Sequence, residues 1–385
     1  MSTLKVDNIR HNSATSVAIT MASDGTCTAK VTSVGGGQLS HRNIIVNGGM
    51  KVAQRSVSEA ITGAGYHTVD RFKTVANSSM TYAVTMSQEN DNPDGLGKSV
   101  KLLTTTASTP TGSENYCLRY TGEEQDISGA GLGTSSCKQL TISFSVKTNK
   151  TGTHGFQIYI GNNQPNMTVA YTVSSANTWE RKTITLPTYT SSYSHLSDNA
   201  KGFMIDWNLA SGPDDIMAPY NWATGSTAAR GVTGQVNMLD TVGNYFQLTN
   251  VQLEIGDTAT SFEHRSITEE LLRCYRYYYK VQPAQGAYFG SGFWYNSNIF
   301  ICHIDFPVVM RTNITSLEQS GTAAHYKVIA NATTYTCTSV PSFLGDPNNT
   351  SQSVNFRFSG NGTQGQGGLG RSGNTLAFLA FSAEL

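Results

Sequence analysis

The sequence predicts an all-β protein: an extended N-terminal arm, a central β-sandwich, one short helix and a second, smaller β unit at the C-terminal end. Three observations carry that expectation. Short alternating apolar and polar runs recur along the whole chain, separated by Gly-, Asn- and Pro-containing turns, as in Asn92–Gly95. The stretch Phe246–Glu263 places Phe246, Leu248, Val251, Leu253 and Ile255 at strand-like spacing and closes on a Gly-Asp turn, the pattern of a half-buried strand. Finally, only 14% of the 385 residues are charged while Gly numbers 37, which suits turn-rich β architecture.

The elements follow in order. Residues 1–42 contain short alternating runs (Leu4, Val6, Ile9; Val17, Ile19, Met21) and a Gly35-Gly36-Gly37 break. So short a polar segment cannot bury a core of its own, so it is expected to order by packing on a neighbour. Residues 43–265 read as a sandwich with strands at Tyr82–Met86, Ser99–Leu103, Leu140–Lys147, Phe156–Ile160, Val169–Val173, Lys182–Leu186, Phe203–Trp207 and Phe246–Glu254. Residues 266–283 hold the one helix candidate, Ile267–Tyr279, with Ser266 or Thr268 as cap and Glu269 and Glu270 in the first turn. Residues 284–385 return to strands at Tyr288–Trp294, Ile299–Phe306, Tyr326–Ala330, Val354–Phe358 and Leu376–Ala383.

Composition excludes several functions. A formal net charge of zero argues against nucleic-acid binding, which needs a basic excess. No apolar run approaches the roughly 20 residues of a membrane span, and no signal peptide opens the chain, so cytoplasmic synthesis is expected. The six cysteines lack metal-ligand spacing, and free buried thiols are expected. Cys117 and Cys137, which flank a Gly-rich turn region, are the pair to suspect of a disulfide. The eight histidines show no catalytic or zinc spacing, and neither Gly-rich stretch opens a helix after a strand as a phosphate loop would. No cofactor or metal is expected, and Glu89–Asp94 reads as an exposed turn in preference to a calcium loop.

Several segments resemble the jelly-roll, carbohydrate-binding-module-like domain of bacteriophage and prophage tail-fibre proteins. Asn43–Phe72 is similar to its opening, with an Asn-hydrophobic-Asn-Gly strand, Gln54-Arg55 and Asp70-Arg71-Phe72. Asp94–Leu103, Gly133–Gly152, Thr178–Pro187 and Phe246–Glu263 resemble its later strands in the family's order. Ala53, Phe72 and Ser145 stand where the family carries tryptophan, which implies a reduced aromatic core or sugar platform. Met1–Ile19 resembles the arm of marine phage fibres, and Leu376–Leu385 the last strand of fibre tips. The resemblance implies a virion protein, made in the host cytoplasm, whose arm docks on other virion proteins and whose β domains meet a host surface polysaccharide. A capsid-surface fibre or decoration protein is the competing expectation. A polysaccharide depolymerase is more distant, because no β-helix repeat is present.

Candidate site residues follow from chemistry. Sugars are held by aromatic faces with amides and carboxylates on the hydroxyls, and Trp207, Asp214, Asp215, Tyr220 and Trp222 lie in or beside a long Gly/Pro-interrupted stretch that reads as loop. The alternative is that Trp207 is core on the alternating strand Phe203–Trp207 and that Trp222 packs the loop down. Trp179 is expected in the core. In the tip, Phe289, Trp294 and Tyr295 are a candidate receptor surface or, alternatively, an oligomer core. The resemblance implies a homotrimer, and the arm with the Tyr275–Tyr279 block offers apolar surface to bury around a threefold axis, with Leu271, Leu272 and Tyr275 nearest it. A mass measurement at micromolar concentration is expected to return three chains; a clean monomer refutes the trimer.

Overall fold

Alternation between core-facing and outward residues builds two facing sheets from the central part of the chain. The computed structural model describes residues 6–9, 12, 19–29, 41–76, 80–95, 97–161, 165–223, 230–345, 347–360 and 362–385. Most of the arm lies outside these residues; its described part holds the three-stranded sheet Asn8–Ile9, Ile19–Met21 and Cys27–Ala29.

One sheet of the sandwich has six strands in the order Glu180–Leu186, Leu140–Thr148, Tyr245–Ile255, Ser99–Thr106, Ala83–Glu89 and Ser58–Ile61. The other has seven: Tyr220–Ala223, Asn166–Val173, Gly152–Ile160, Lys201–Ser211, Asn115–Glu123, Phe72–Ala76 and Gly65–Tyr66. Every pairing in both is antiparallel. Leu140, Ile142, Phe144 and Val146 send their side chains inward at every second position, as a pleated strand requires. Phe144 and Phe156 meet the Trp207 ring edge-on at 5.7 and 6.0 Å, and Phe72 lies 6.2 Å from it. Phe72 thus supplies core aromatic mass at a position where the resembled family has tryptophan.

The strand Asn115–Glu123 is a departure from expectation. It lies in the middle of the seven-stranded sheet with both faces buried, so its sequence NYCLRYTGE shows no clean alternation. The helix also differs. It spans Ile267–Tyr275, with the Ser266 hydroxyl accepting from the Glu269 amide at 3.1 Å, and stops four residues short of the expected end. Tyr278–Val281 is instead a strand paired with Leu379–Ser382. A run of aromatics fits a pleated surface better than a helix, and the C-terminal strand supplies its ladder bonds.

The C-terminal part forms a seven-stranded sheet, ordered Thr333–Thr336, Tyr326–Ala330, Gly367–Ser372, Tyr288–Asn296, Ile299–Asp305, Ser351–Arg357 and Ser339–Leu344. It packs with a three-stranded sheet of Tyr278–Val281, Leu379–Ser382 and Leu317–Gln319 around a second apolar cluster. Cys117, Cys137, Cys274, Cys302 and Cys337 are free: Cys117 is buried in its sheet and is not joined to Cys137.

The two parts are fastened by the last residues of the sequence. Arg71 is fully buried, pairs with Glu384, donates to the Thr121 carbonyl at 2.5 Å, and lies 3.4 Å from the Tyr277 ring centre. Arg55 reaches Glu384 at 3.4 Å and covers the Tyr278 ring at 3.6 Å. Arg311 donates to the Ala383 and Glu384 carbonyls at 2.7 and 3.0 Å, and Tyr66 and Lys73 donate to the Leu385 carbonyl at 3.1 and 2.6 Å. Removing one member of a buried pair strands the other charge. Arg71→Ala is therefore expected to lower stability by about 3–5 kcal/mol, read by chemical denaturation; a change within experimental error would show that this clamp holds nothing together.

Candidate functional site

The strand Lys201–Ser211 sends Phe203, Ile205 and Trp207 into the sandwich and Met204, Asp206 and Asn208 to the opposite face. Ladder register then lines up one polar row across six strands of that outer face. Lys73 pairs with Arg119, Arg119 with Asp206, Asp206 with Gln157, Gln157 with Thr168, and Thr168 with Tyr220. At about 4.8 Å per strand the row extends roughly 24 Å.

Its centre is an ion pair. Arg119 grips Asp206 in a two-pronged geometry, Nε and one terminal nitrogen each 2.6 Å from a carboxylate oxygen. Burial alone would lower the Arg119 guanidinium, but its bonds to Asp206 outweigh that and raise it, so Arg119 stays charged. Further along, Gln157 donates to the Thr168 hydroxyl at 3.0 Å and to the Tyr220 hydroxyl at 3.3 Å, and Tyr220 donates to the Asn166 amide oxygen at 2.5 Å. Burial pushes the neighbouring Tyr159 hydroxyl up, so it is a neutral donor at physiological pH.

Ser211, Asp215, Arg230 and Gln235 bond together at one end of this face. Asp215 accepts from the Arg230 amide at 3.2 Å and from the Ser211 hydroxyl at 3.3 Å, and Gln235 donates to Asn208. Burial raises the Asp215 carboxyl, against the pull of those bonds. Arg230 approaches Asp206 at 3.7 Å from above and is 30% exposed, so the charged pair has one cation at its solvent edge.

The structure separates the predicted sugar-binding residues. Trp207 is fully buried among Phe72, Phe144 and Phe156 and offers no face to a ligand; its place on the inward half of an alternating strand decides this. Tyr220 lies on the outer face, but Trp222 does not join it. Asn166 faces Ala223 while Thr168 faces Tyr220, so the edge strand carries one extra residue between them. That bulge turns Trp222 toward the core, where its indole donates to the Pro187 carbonyl at 2.7 Å and meets Tyr189 edge-on. Asp215 is buried and structural in its bonding, and Asp214 is exposed on a short 3-10 turn. Tyr220 and Trp222 thus sit on a strand, not in a loop.

In the tip, Phe289 and Trp294 are corrected to core residues. Phe289 packs on Tyr326 and Phe356, and Trp294 on Phe300, Tyr335 and Phe358. Tyr295 alone of the three is exposed. On the helix, Leu271 packs against the small cluster of Val46, Val52, Cys274 and Tyr277, and Tyr275 meets Tyr279 edge-on at 5.0 Å. Tyr277 and Tyr278 are buried within the chain, so the tyrosine block is largely covered, and Leu272 with Ile267 remains exposed. Trp179 is another correction: it lies outside the core cluster, half-buried on the six-stranded sheet.

Sequence reasoning missed Arg119, Gln157 and Lys73. The available signal was a charge or amide inside an otherwise apolar run: Arg119 in YCLRY, Gln157 in FQIYI and Asp206 in FMIDW. A charged group inside a buried strand needs an opposite charge on a neighbouring strand. Among the described residues no group of His, Cys, Asp and Glu is placed to hold a metal ion. In the Glu89–Asp94 turn, Asp91 accepts from Lys147, Trp179 and Gln247, and Asp94 from Asn250.

No protein-family model matches the sequence, and no curated protein matches it. Among solved structures the chain is similar to the enzymatically active domain of tailspike protein 4 of bacteriophage CBA120, at 13% identity and TM-score 0.30, over 55% of this chain and 21% of that one. It is also similar to the family 11 carbohydrate-binding module of a Clostridium thermocellum cellulase, at 14% identity and TM-score 0.27, over 55% of this chain and all of that one. A third is a putative sugar binding protein from Bacteroides thetaiotaomicron, at 11% identity and TM-score 0.31, over 56% of this chain and all of that one.

The positions of Trp207 and Tyr220 predict opposite consequences. Trp207→Ala is expected to cost about 3–5 kcal/mol through the cavity it leaves, whereas Tyr220→Ala on the edge strand loses roughly 1 kcal/mol of hydrogen bonding. Urea unfolding of both variants checks this, and equal losses would contradict the core placement.

Proposed function

We propose that this protein is a virion structural protein, a tail-fibre or receptor-binding subunit that attaches the particle to a host surface glycan through the outer face of its seven-stranded sheet. The observation that carries the reading is the polar row from Lys73 to Tyr220, in which buried Asp206, Gln157 and Thr168 hold the partly exposed Lys73, Arg119 and Tyr220 in fixed positions on a rigid sheet. Sugars are recognised by such preorganised donors and acceptors flanked by aromatic rims, because little freedom is lost when the ligand arrives. Tyr159, Tyr220 and Arg230 stand around that row. The virion context is supported by the fibre-like segments from Asn43 to Glu263.

In this reading residues 1–42 dock the protein on the particle, residues 43–265 carry the glycan, and residues 284–385 project as a tip joined through 266–283. The exposed Ile267 and Leu272 on the helix, and Ile9 and Met21 in the arm, are the apolar surface that a homotrimer would cover. The role is adhesion without catalysis. Asp206, the carboxylate at the centre of the row, is already bonded at both oxygens by Arg119.

The test is a glycan array with wild type and Tyr220→Ala, run beside host adsorption of particles carrying each. Losing an aromatic contact of this kind costs about 2 kcal/mol, roughly thirtyfold in affinity. Weakened glycan binding and weakened adsorption together support the reading. Absence of wild-type binding to every host polysaccharide, with normal adsorption and fragile capsids when the protein is missing, would instead establish a capsid-decoration role.

A further inference from the structure

The outer face of the six-stranded sheet, on the opposite side of the sandwich, carries an aromatic and cationic surface that the polar row does not use. We infer that it is a second saccharide-binding platform, selective for an acidic saccharide. It shares a ligand class with the proposed function but none of its residues, so the two stand or fall separately.

Register places the platform. Glu180 pairs with Val146, so Trp179 falls beside Lys147; Lys147 pairs with Gln247, and Gln247 with Lys101. These four residues form one cross-strand row on the solvent side. Trp179 to Lys101 is three strand spacings, roughly 14 Å, which suits a short oligosaccharide. Tyr245, two residues before Gln247 on the same strand, adds a second ring to the same face.

Asp91 fixes the tryptophan. Its carboxylate accepts the Trp179 indole N–H at 3.0 Å, the Lys147 ammonium at 2.8 Å and the Gln247 amide at 3.2 Å. The indole is therefore pinned by its polar edge while the ring stays half-exposed, away from the core cluster. Core tryptophans of this protein behave differently: Trp207 and Trp294 are wholly enclosed. Tyr245 is likewise held through its hydroxyl, which donates to Asn177 at 2.7 Å. The two rings are partly exposed and fixed by their polar ends, and each carries a lysine ammonium over it, Lys147 at 5.9 Å from the Trp179 ring centre and Lys101 at 4.8 Å from that of Tyr245. Such rings offer a sugar's C–H surface a place to stack with little ordering left for binding to impose.

The charge selects the ligand. Lys147 is neutralised by Asp91, but Lys101, 4.8 Å above the Tyr245 ring centre, has no carboxylate within ion-pair distance among the described residues. An unpaired ammonium beside an aromatic platform favours a sugar whose carboxylate or sulfate reaches it. The attraction is screened over about 8 Å at physiological salt, so binding weakens as salt rises.

The experiment titrates full-length protein with a panel of uronic-acid, sialylated and sulfated oligosaccharides and their neutral counterparts of equal length. Wild type is expected to bind at least one acidic member more tightly than its neutral counterpart, with salt-dependent affinity. Trp179→Ala should weaken that binding about thirtyfold and Trp179→Phe should largely restore it, which separates a lost platform from a damaged fold. Lys101→Gln should bring acidic and neutral ligands to the same affinity and remove the salt dependence. Tyr220→Ala should leave this binding unchanged. Absence of wild-type binding to any acidic member, undiminished binding by Trp179→Ala, or acid preference surviving Lys101→Gln would overturn the inference.

Discussion

The buried Arg71 guanidinium is the point on which the arrangement of the two β units depends. It cannot sit uncharged and cannot sit alone, so burying it commits the chain to delivering Glu384 and the Thr121 carbonyl to the same spot. Tyr277 closes over one side of it, and the Tyr277 hydroxyl in turn donates to Glu123 at 2.5 Å, which Arg276 also grips at 2.6 and 2.7 Å. Arg71 holds a positive φ of 74°. A non-glycine residue adopts that backbone only where surrounding contacts over-determine it. The strand from Tyr278 and the last strand of the chain are thereby set against the jelly roll.

That clamp gives a physical meaning to segments of the sequence that resemble a fibre module. Gln54 donates to the Tyr278 carbonyl at 2.7 Å and Arg55 covers the Tyr278 ring, while Asp70 accepts the Gln54 amides at 2.9 and 2.5 Å. Burial raises the Asp70 carboxyl to about 6, with the bonds from Gln54 opposing the rise. Gln54-Arg55 and Asp70-Arg71-Phe72 are therefore docking pieces as much as strand markers. Asn47 and Gly48 serve the same corner. The Asn47 amide bridges the Val52 and Asp70 carbonyls, and a side chain at Gly48 would lie 2.0 Å from the Val251 carbonyl oxygen.

The sandwich solves one problem twice. Each sheet has an inner face filled by aromatics and aliphatics and an outer face that carries a cross-strand row of polar groups. On the seven-stranded sheet Asp206, Gln157 and Thr168 in the middle of the row are buried, so its charges are paired within the protein, as Arg119 and Asp206 are, while Lys73, Arg119, Tyr220 and Arg230 keep part of their surface exposed. On the six-stranded sheet Trp179, Lys147 and Lys101 of the row are partly exposed, and Lys101 has no carboxylate within ion-pair distance among the described residues. Rigid ladders hold both rows in register, so their spacing does not depend on loops.

Fold class was legible in the sequence because strand periodicity is a local property: Leu140, Ile142, Phe144 and Val146 announce their inward face without reference to any neighbour. The cap at Ser266 was legible for the same reason. What alternation did not reveal was any strand buried on both sides, such as Asn115–Glu123, or the end of the helix, since Tyr278–Val281 becomes a strand only because Leu379–Ser382, about a hundred residues away, pairs with it. The membership of the candidate site was not legible. Aromatic and acidic residues near position 215 pointed toward sugar chemistry, yet a single extra residue opposite Asn166–Thr168 sends Trp222 to the core and leaves Tyr220 outside. Composition and local pattern determined that this is a neutral, β-rich chain with polar outer faces. Which polar residues share a face, and which aromatics stay in reach of a ligand, was decided only by ladder register and bulges, because those are set by hydrogen bonds between segments distant in sequence.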